Sequence, residues 1–387
     1  MDYGYDLVVV GGGVLGTFHA YHALKNGLKV ALIEKDRTPQ GATVRNFGQV
    51  VPSGMNAKWQ AYGRESLRIY QEIQETFDIS VRQEGSVYFA SDEEEVQLLE
   101  ELHKINQHNQ YASQLLTKAK CLQMYNGLRN DYVKAGLFFP QELMVEPRVM
   151  IHRLHSYLKA VGLDLFPHKT VVECNRLSQG IEVYFSDGTS LSSAKVIICN
   201  GSEFKTLYPQ LFNESDLEVA KIQMMQTKPQ GKYVLPSSIL TGLSIRRYEA
   251  FSECPSYAAI KAKEDMDSPV KKWGVHILFK QATDSSVIIG DSHKYADADR
   301  IDELSMDLNM DIDNYILHEA KNIIDLPTYE IQYRWSGMYS QCKTADIYQH
   351  TIEKDIHIVT GIGGKGMTAS AGFAKANINN IFNLQHA

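Results

Sequence analysis

The run Asp6-Leu-Val-Val-Val-Gly11-Gly12-Gly13-Val14-Leu15-Gly16, with its continuation Lys29-Val-Ala-Leu-Ile-Glu34, decides the fold. The valine-rich segment reads as a buried strand, and the glycines turn the chain sharply into a helix over residues 17–26. Gly11 permits the tight turn, Gly13 lets a pyrophosphate approach the backbone, and Gly16 lets helix and strand pack closely. Val14 and Leu15 lie in the turn that leads to Gly16, and the helix N-terminus beyond it, with free N–H groups and a positive dipole end, suits phosphates. Glu34 closes the second strand 18 residues beyond Gly16, about where a carboxylate accepts ribose hydroxyls, and Lys35 follows it. A bare G-x-G-x-x-G is weak; strand, glycines, helix, second strand and terminal acid together specify a dinucleotide site.

Composition narrows the class. The 387 residues suggest about two domains, and 44% hydrophobic with 22% charged residues describes a globular chain with ample core. A net charge of −7 argues against generic nucleic-acid or anionic-membrane binding, so basic residues gathered in a pocket would stand out. The five cysteines show no CxxC and no paired spacing, as expected of reduced thiols. The chain enters its first strand directly, and no apolar run approaches the roughly 18 residues of a membrane span. A cytoplasmic protein is expected, with its oligomeric state left open.

Along the chain, a loop over residues 35–54 carries Gly41-Ala-Thr-Val-Arg45-Asn46-Phe-Gly48-Gln49. Trp59, Tyr62, Ser66, Tyr70, Ile73 and Phe77 recur at helical spacing. Ser91-Asp-Glu-Glu94 reads as a capping box before a helix that turns Val96, Leu99, Leu102 and Ile105 inward. Pro147 suits the first position of another helix. Residues 171–174, 181–185 and 195–199 read as strands, with a hairpin turn at Asp187-Gly188 and the last strand ending at Asn200-Gly201. From residue 222 the pattern becomes extended, over 222–227, 238–248, 256–262, 275–279, 287–289 and 329–339, interrupted by a helix over 302–324. Residues 356–360 return as an apolar strand, followed by Gly361-Ile-Gly363-Gly364-Lys365-Gly366-Met367-Thr368 and a small-residue helix over 367–381. Two interleaved domains are expected: an α/β cofactor domain from 1–85, 145–220 and 340–387, and a mostly antiparallel substrate domain from 86–144 and 221–339.

The second glycine loop lacks the fingerprint spacing and a following acid, so it does not predict a second dinucleotide. A helix N-terminus has another use, because its dipole stabilises the negative charge of a reduced flavin ring. A nicotinamide enzyme has no such need. The two loops together point to FAD.

These motifs resemble the flavin-dependent amine oxidoreductases that include D-amino-acid, glycine and sarcosine oxidases. The resemblance rests on the N-terminal fingerprint, residues 41–48, Thr170-Val171-Val172 and residues 361–368. It implies a glutathione-reductase-like Rossmann FAD domain, a substrate sheet over the flavin, a backbone contact from Val172 to the adenine, and a pyrophosphate pocket closed by Asn200-Gly201. It also implies hydride transfer from the carbon beside a neutral amine to the flavin, then hydrolysis of the imine. Oxygen or another acceptor takes the electrons. Val44-Arg45-Asn46-Phe47-Gly48-Gln49, residues 221–227 and Arg334-Trp-Ser-Gly337 further resemble a subgroup found among phosphonate-breakdown genes, which implies an aminophosphonate such as N-methyl-2-aminoethylphosphonate.

Three departures from the family pattern carry information. Where glycine- and D-amino-acid-oxidising relatives have a carboxylate-binding arginine, this chain has Tyr339, so the bidentate clamp is missing there. Gly337 stands where sarcosine-oxidase-like relatives have a cysteine bonded to flavin, so FAD is expected to be non-covalent. An apolar residue, near Ile288, stands where those relatives have an activating lysine.

Candidate anion binders are Arg45, Arg246, Arg247, Arg334 and Lys365. Arg45 is read alternatively as a pyrophosphate or surface contact, and Lys365 as a flavin contact. Arg246 and Arg247 are expected on opposite faces of a strand, so only one faces the pocket, and Arg247 is preferred. Gln49, His276 and Tyr339 complete the pocket candidates. His276 holds the amine or sits satisfied in the core, Tyr339 lines or fills the site, and His293 is read as structural. His19, His22, His152 and His155 are expected as partly exposed helix residues, and no metal site is predicted. A glycine, sarcosine or D-amino-acid substrate is the alternative, and a non-catalytic or electron-relaying flavoprotein the remoter one.

Overall fold

The structure, a computed structural model, describes residues 4–384. The fingerprint strand Tyr5–Val10 lies between two parallel neighbours, Val30–Ile33 and Ser190–Ile198. Leu7, Val8 and Val9 are fully buried, as a strand covered on both faces requires. Parallel pairing continues to Ile356–Thr360 on one side and Asp164–Phe166 on the other. Antiparallel partners complete the sheet: Tyr348–Ile352 at one edge, and Ile181–Phe185 with Val171–Arg176 beside Ser190–Ile198. This eight-stranded Rossmann-like sheet draws on both ends and the middle of the chain.

Three helices stack beside it. Val14–Lys25 packs on Gly366–Phe382, which packs on Ala57–Thr76. Small residues make the second contact close: a Cβ on Gly372 would meet the Tyr62 carbonyl oxygen at 2.1 Å. Residues 14–23 are therefore all buried, which corrects the expected exposure of the helix histidines. His19 Nδ1 lies 2.7 Å from the Leu15 carbonyl and its Nε2 2.9 Å from Asn377 Nδ2. His22 Nε2 lies 2.9 Å from the Ala371 carbonyl. Burial pulls their pKa values down to about 4 and about 3. His155 is also buried, against Thr17 and the Gly12 carbonyl, and only His152 is exposed as expected.

The second sheet has nine strands and is built around Leu217–Thr227, which pairs along its length with Ile331–Cys342. All its pairings are antiparallel except that of Ser238–Leu240 with Ser86–Ala90. The turn to extended structure comes at residue 217 rather than 222. Several expected strands are shorter or helical. The segment 238–248 is extended only to Leu240 and then forms the helical turn Gly242–Ile245. Residues 256–262 hold the helix Tyr257–Lys261, and the strand expected over 275–279 runs instead as Leu278–Gln281. The single helix expected over 302–324 is a 3-10 segment, Ala298–Leu304, and a separate helix, Met310–Ile323. Short apolar runs fit a buried strand or a buried helical turn equally well, and tertiary contact chooses between them. The capping box is displaced by one residue. Asp92 caps the helix Glu93–His108, and Glu95 reaches back to the Ser91 amide and hydroxyl. Among the described residues, no helix is long and apolar enough to cross a membrane.

Candidate flavin and substrate site

A cavity of about 850 Å³ runs from the C-terminal end of Val30–Ile33, past both glycine loops, to the inner face of the second sheet. Its first end is built by local sequence. Gly11 adopts φ +104° and a Cβ there would lie 2.2 Å from the Cys199 carbonyl oxygen, so only glycine fits the turn. Glu34 lines the wall, its two carboxylate oxygens accepting from the Gly12 and Asp36 amides at 3.0 Å each. Burial raises its pKa, against the pull of those amides. Gly13, Val14, Leu15, Gly16 and Lys35 share this wall, and Thr43 Oγ1 accepts from the Val14 amide at 2.9 Å.

The loop after Glu34 folds across the cavity by its own hydrogen bonds. Asn46 donates to the Ala42 and Thr43 carbonyls and accepts from the Gly48 amide at 2.7 Å. Arg45, Asn46, Gly48 and Gln49 all line the cavity. Arg45 donates to the Gln40 and Ser336 carbonyls, at 2.8 and 3.2 Å. Opposite, Asn200 and Gly201 lie on the wall, as do Gly363, Gly364, Lys365, Gly366, Met367 and Thr368. Val172 does not. It is 41% exposed on its strand, while Lys169, Thr170 and Val171 line the cavity.

The far end gathers polar side chains from separate elements. Arg247, Tyr248, His276, Asp291, Tyr295 and Tyr339 line it together. Arg247 follows the helical turn Gly242–Ile245 rather than lying on a strand. Arg246 turns away to Asp92, at 2.7 Å, and Glu95, at 2.8 Å. Arg247 Nη2 donates to the Tyr295 hydroxyl at 2.7 Å. Asp291 Oδ1 stands 2.5 Å from His276 Nε2, and His276 Nδ1 stands 3.2 Å from the Ser244 hydroxyl. Burial alone would raise the Asp291 carboxyl, but His276, His293 and Arg247 hold it below its ordinary range. His293 Nδ1 lies 3.0 Å from the Gly274 carbonyl, and burial pulls this ring down to about 3. His293 therefore combines a structural bond with a place on the wall. Tyr339 faces the cavity, its hydroxyl raised by burial.

Two candidates change role. Arg334 is off the wall: its Nε pairs with the buried Asp313 at 3.0 Å, because alternation along Ile331–Cys342 turns it toward the helix Met310–Ile323. Lys365 is on the wall, but its ammonium pairs with Glu249 at 2.8 Å. Near Ile288, the cross-strand partner Lys280 is buried against Glu146 and the Val145 carbonyl, outside the cavity. Sequence reasoning missed Asp291, although it follows the apolar run 287–290 and precedes Ser292-His293. His276, Asp291 and His293 are also the group among the described residues that could gather around a metal ion.

The cavity fits a flavin dinucleotide. The helices Val14–Lys25 and Gly366–Phe382 both open on it without side-chain N-caps, leaving backbone donors for a ligand. Gln49 Nε2 and Asn200 Oδ1 are buried on its wall without a partner. Fold and site thus define a flavin-dependent oxidoreductase. Residues 6–377 match the family described as FAD dependent oxidoreductase, and the chain belongs to it.

Relatives are distant. Glycerol 3-phosphate dehydrogenase of Caloramator mitchellensis is 22% identical over 388 residues, covering 98% of this chain and 74% of that protein. An opine oxidase polypeptide of Rhizobium meliloti is 23% identical over 58% of this chain and 64% of its own length. Against dimethylglycine dehydrogenase of Rattus norvegicus, the chain spans only 19% of the relative. In structure, glycine oxidase from Geobacillus kaustophilus superposes with a TM-score of 0.79 at 16% identity, over 100% of this chain and 96% of that one.

Proposed function

We propose that this protein oxidises a small primary or secondary amine bearing an anionic group, with an aminophosphonate such as N-methyl-2-aminoethylphosphonate as the leading candidate. One observation carries the reading. At the sheet end of the cavity, Arg247 has no carboxylate in ion-pair distance among the described residues, while Asp291 with His276 presents negative charge on the same wall. An anion on the guanidinium and an ammonium near the carboxylate would orient such a substrate end to end. FAD, when bound, supplies the hydride acceptor for the carbon beside the amine. The chain's own residues bind and orient the substrate. His276, held at Nδ1 by Ser244 and at Nε2 by Asp291, has both ring nitrogens engaged and fixes the carboxylate that would face the ammonium.

Gly337 supports non-covalent flavin: a Cβ there already meets the Arg45 backbone oxygen at 3.1 Å, leaving little room for a reactive side chain. The two sheets support a pair of interleaved domains, and the electron acceptor is oxygen or another carrier. A second reading, a glycine-, sarcosine- or D-amino-acid-like substrate, is favoured by the resemblance to glycine oxidase and opine oxidase. Arg247 would then take the carboxylate. Anaerobic titration of the FAD-loaded protein with N-methyl-2-aminoethylphosphonate, 2-aminoethylphosphonate, glycine, sarcosine, D-alanine and glycerol 3-phosphate tests both. Bleaching by the phosphonates is expected, bleaching by the amino acids alone supports the second reading, and bleaching by no amine sinks both.

A further inference from the structure

A second cavity, of about 1110 Å³, adjoins the first. Arg247, His293 and Tyr295 line both, so one layer of side chains separates them. The layer is polar and partly open: the Arg247–Tyr295 hydrogen bond spans it, and Tyr295 is 40% exposed. The charge of the second cavity is opposite to that of the chain. Lys261 and Lys271 share the single carboxylate of Glu264, and Arg246 is neutralised by Asp92 and Glu95. Lys221, Arg247, Lys272 and Lys294 line it with no carboxylate in ion-pair distance among the described residues. Only two of its lining carboxylates, Asp265 and Asp307, lack a cation in turn. The surplus is positive, in a chain of net charge −7.

We propose that this second cavity is an antechamber that collects the anionic substrate and passes it to the flavin-facing cavity through the Arg247–Tyr295 pair. The proposal rests on the anionic-amine reading of the site. A cleft walled by one sign of charge raises the local concentration and the capture rate of the opposite ion, and it does so less at high salt. Lys272 and Lys294 are exposed at its mouth, Lys221 is buried deeper against the Leu304 and Asp307 carbonyls, and Arg247 stands at the inner wall. An anion moving inward therefore meets four uncompensated cations against two uncompensated carboxylates, Asp265 and Asp307.

The test uses FAD-loaded protein and ethylphosphonate, an anion with no amine to oxidise, with its association rate followed by flavin absorbance in rapid mixing. Substituting both Lys272→Glu and Lys294→Glu should slow association about tenfold at low ionic strength and flatten its salt dependence. A matched double reversal, Lys120→Glu with Lys159→Glu, both exposed and outside the two cavities, should leave the rate unchanged. Neutral Lys272→Gln with Lys294→Gln gives an intermediate rate and guards against a misfolded double reversal. Tyr295→Ala should speed both entry and exit. If the Lys272/Lys294 double reversal and the Lys120/Lys159 double reversal associate alike, the antechamber is overturned while the anionic reading stands. If ethylphosphonate does not bind and no anionic amine bleaches the flavin, both are overturned.

Discussion

The two ends of the 850 Å³ cavity are built by opposite strategies. Much of the nucleotide end comes from one span of chain, with Gly11, Gly13, Gly16, Glu34 and Arg45 to Gln49, joined by residues 169–171, 200–201 and 363–368, and its glycine loops offer mainly backbone groups. The substrate end is assembled from the turn after Gly242–Ile245, the segment before Leu278–Gln281, the turn after Val287–Gly290, and the strands Lys294–Asp297 and Ile331–Cys342. Side chains do the work there. A backbone site tolerates little change of sequence, whereas a side-chain site can change specificity while the fold stays fixed.

If the ends are separable, substitutions at one should spare the other. The largest effect is expected at Arg247. Arg247→Met should lower kcat/KM for anionic amines by about 10²–10³-fold, since a buried charge partner is worth about 2–5 kcal/mol, and should keep its flavin absorbance. Steady-state kinetics beside a flavin spectrum checks both, and loss of flavin would break the division. Glu34→Ala should weaken FAD binding by about 10–100-fold, the value of a hydrogen bond to a charged group, read by fluorescence of released flavin after dialysis. Retention equal to wild type would remove Glu34 from the ribose site.

A smaller effect is expected at Asp291. Asp291→Asn should lower kcat/KM by about tenfold, through lost attraction for the ammonium and lost support for His276. The carboxyl is held below its ordinary value in the folded protein, so its stabilising contribution is complete above the unfolded pKa and lost as pH falls through the folded one. Thermal melting of wild type, but not of the variant, should show this component on acidification. Equal melting profiles would mean that the folded environment does not favour the ionised carboxyl.

The same contrast explains what could be read from the sequence. The fingerprint was legible because a G-x-G-x-x-G turn imposes its geometry locally, and Gly361–Gly366 because a glycine loop before a helix has few other uses. Arg247 lies on the cavity wall, as expected, but on different grounds: Gly242–Ile245 is helical rather than a strand, and Arg246 is diverted by Asp92 and Glu95, some 150 residues away in sequence. Arg334 lies off the wall because its partner, Asp313, is on another element, which the sequence pattern does not show. Asp291 went unseen because its meaning comes from His276 across a sheet edge. Pairings of this kind are tertiary, and no spacing encodes them.

Burial of a carboxyl does not by itself mark the site, and Glu142 allows that distinction to be tested. It is fully buried, accepts from the Ser53 amide at 2.8 Å, from the Tyr111 hydroxyl at 2.9 Å and from the Ser86 hydroxyl, and lines neither cavity. Burial nevertheless outweighs these donors and pushes its pKa up to about 7. The folded chain then holds this proton more tightly than the unfolded chain, whose carboxyl titrates near 4.5. The contribution to stability is full below that unfolded value and is lost as pH rises through about 7. Wild type should therefore lose a few degrees of Tm between about pH 5 and about pH 8 that Glu142→Gln does not lose. The amide keeps an acceptor for Ser53 or Tyr111 and does not titrate. Flavin absorbance should be the same in both proteins. Parallel melting profiles would show that the donors hold Glu142 ionised, and the rise attributed to burial would be wrong. Flavin loss in the variant would extend the nucleotide end of the site beneath Ser53.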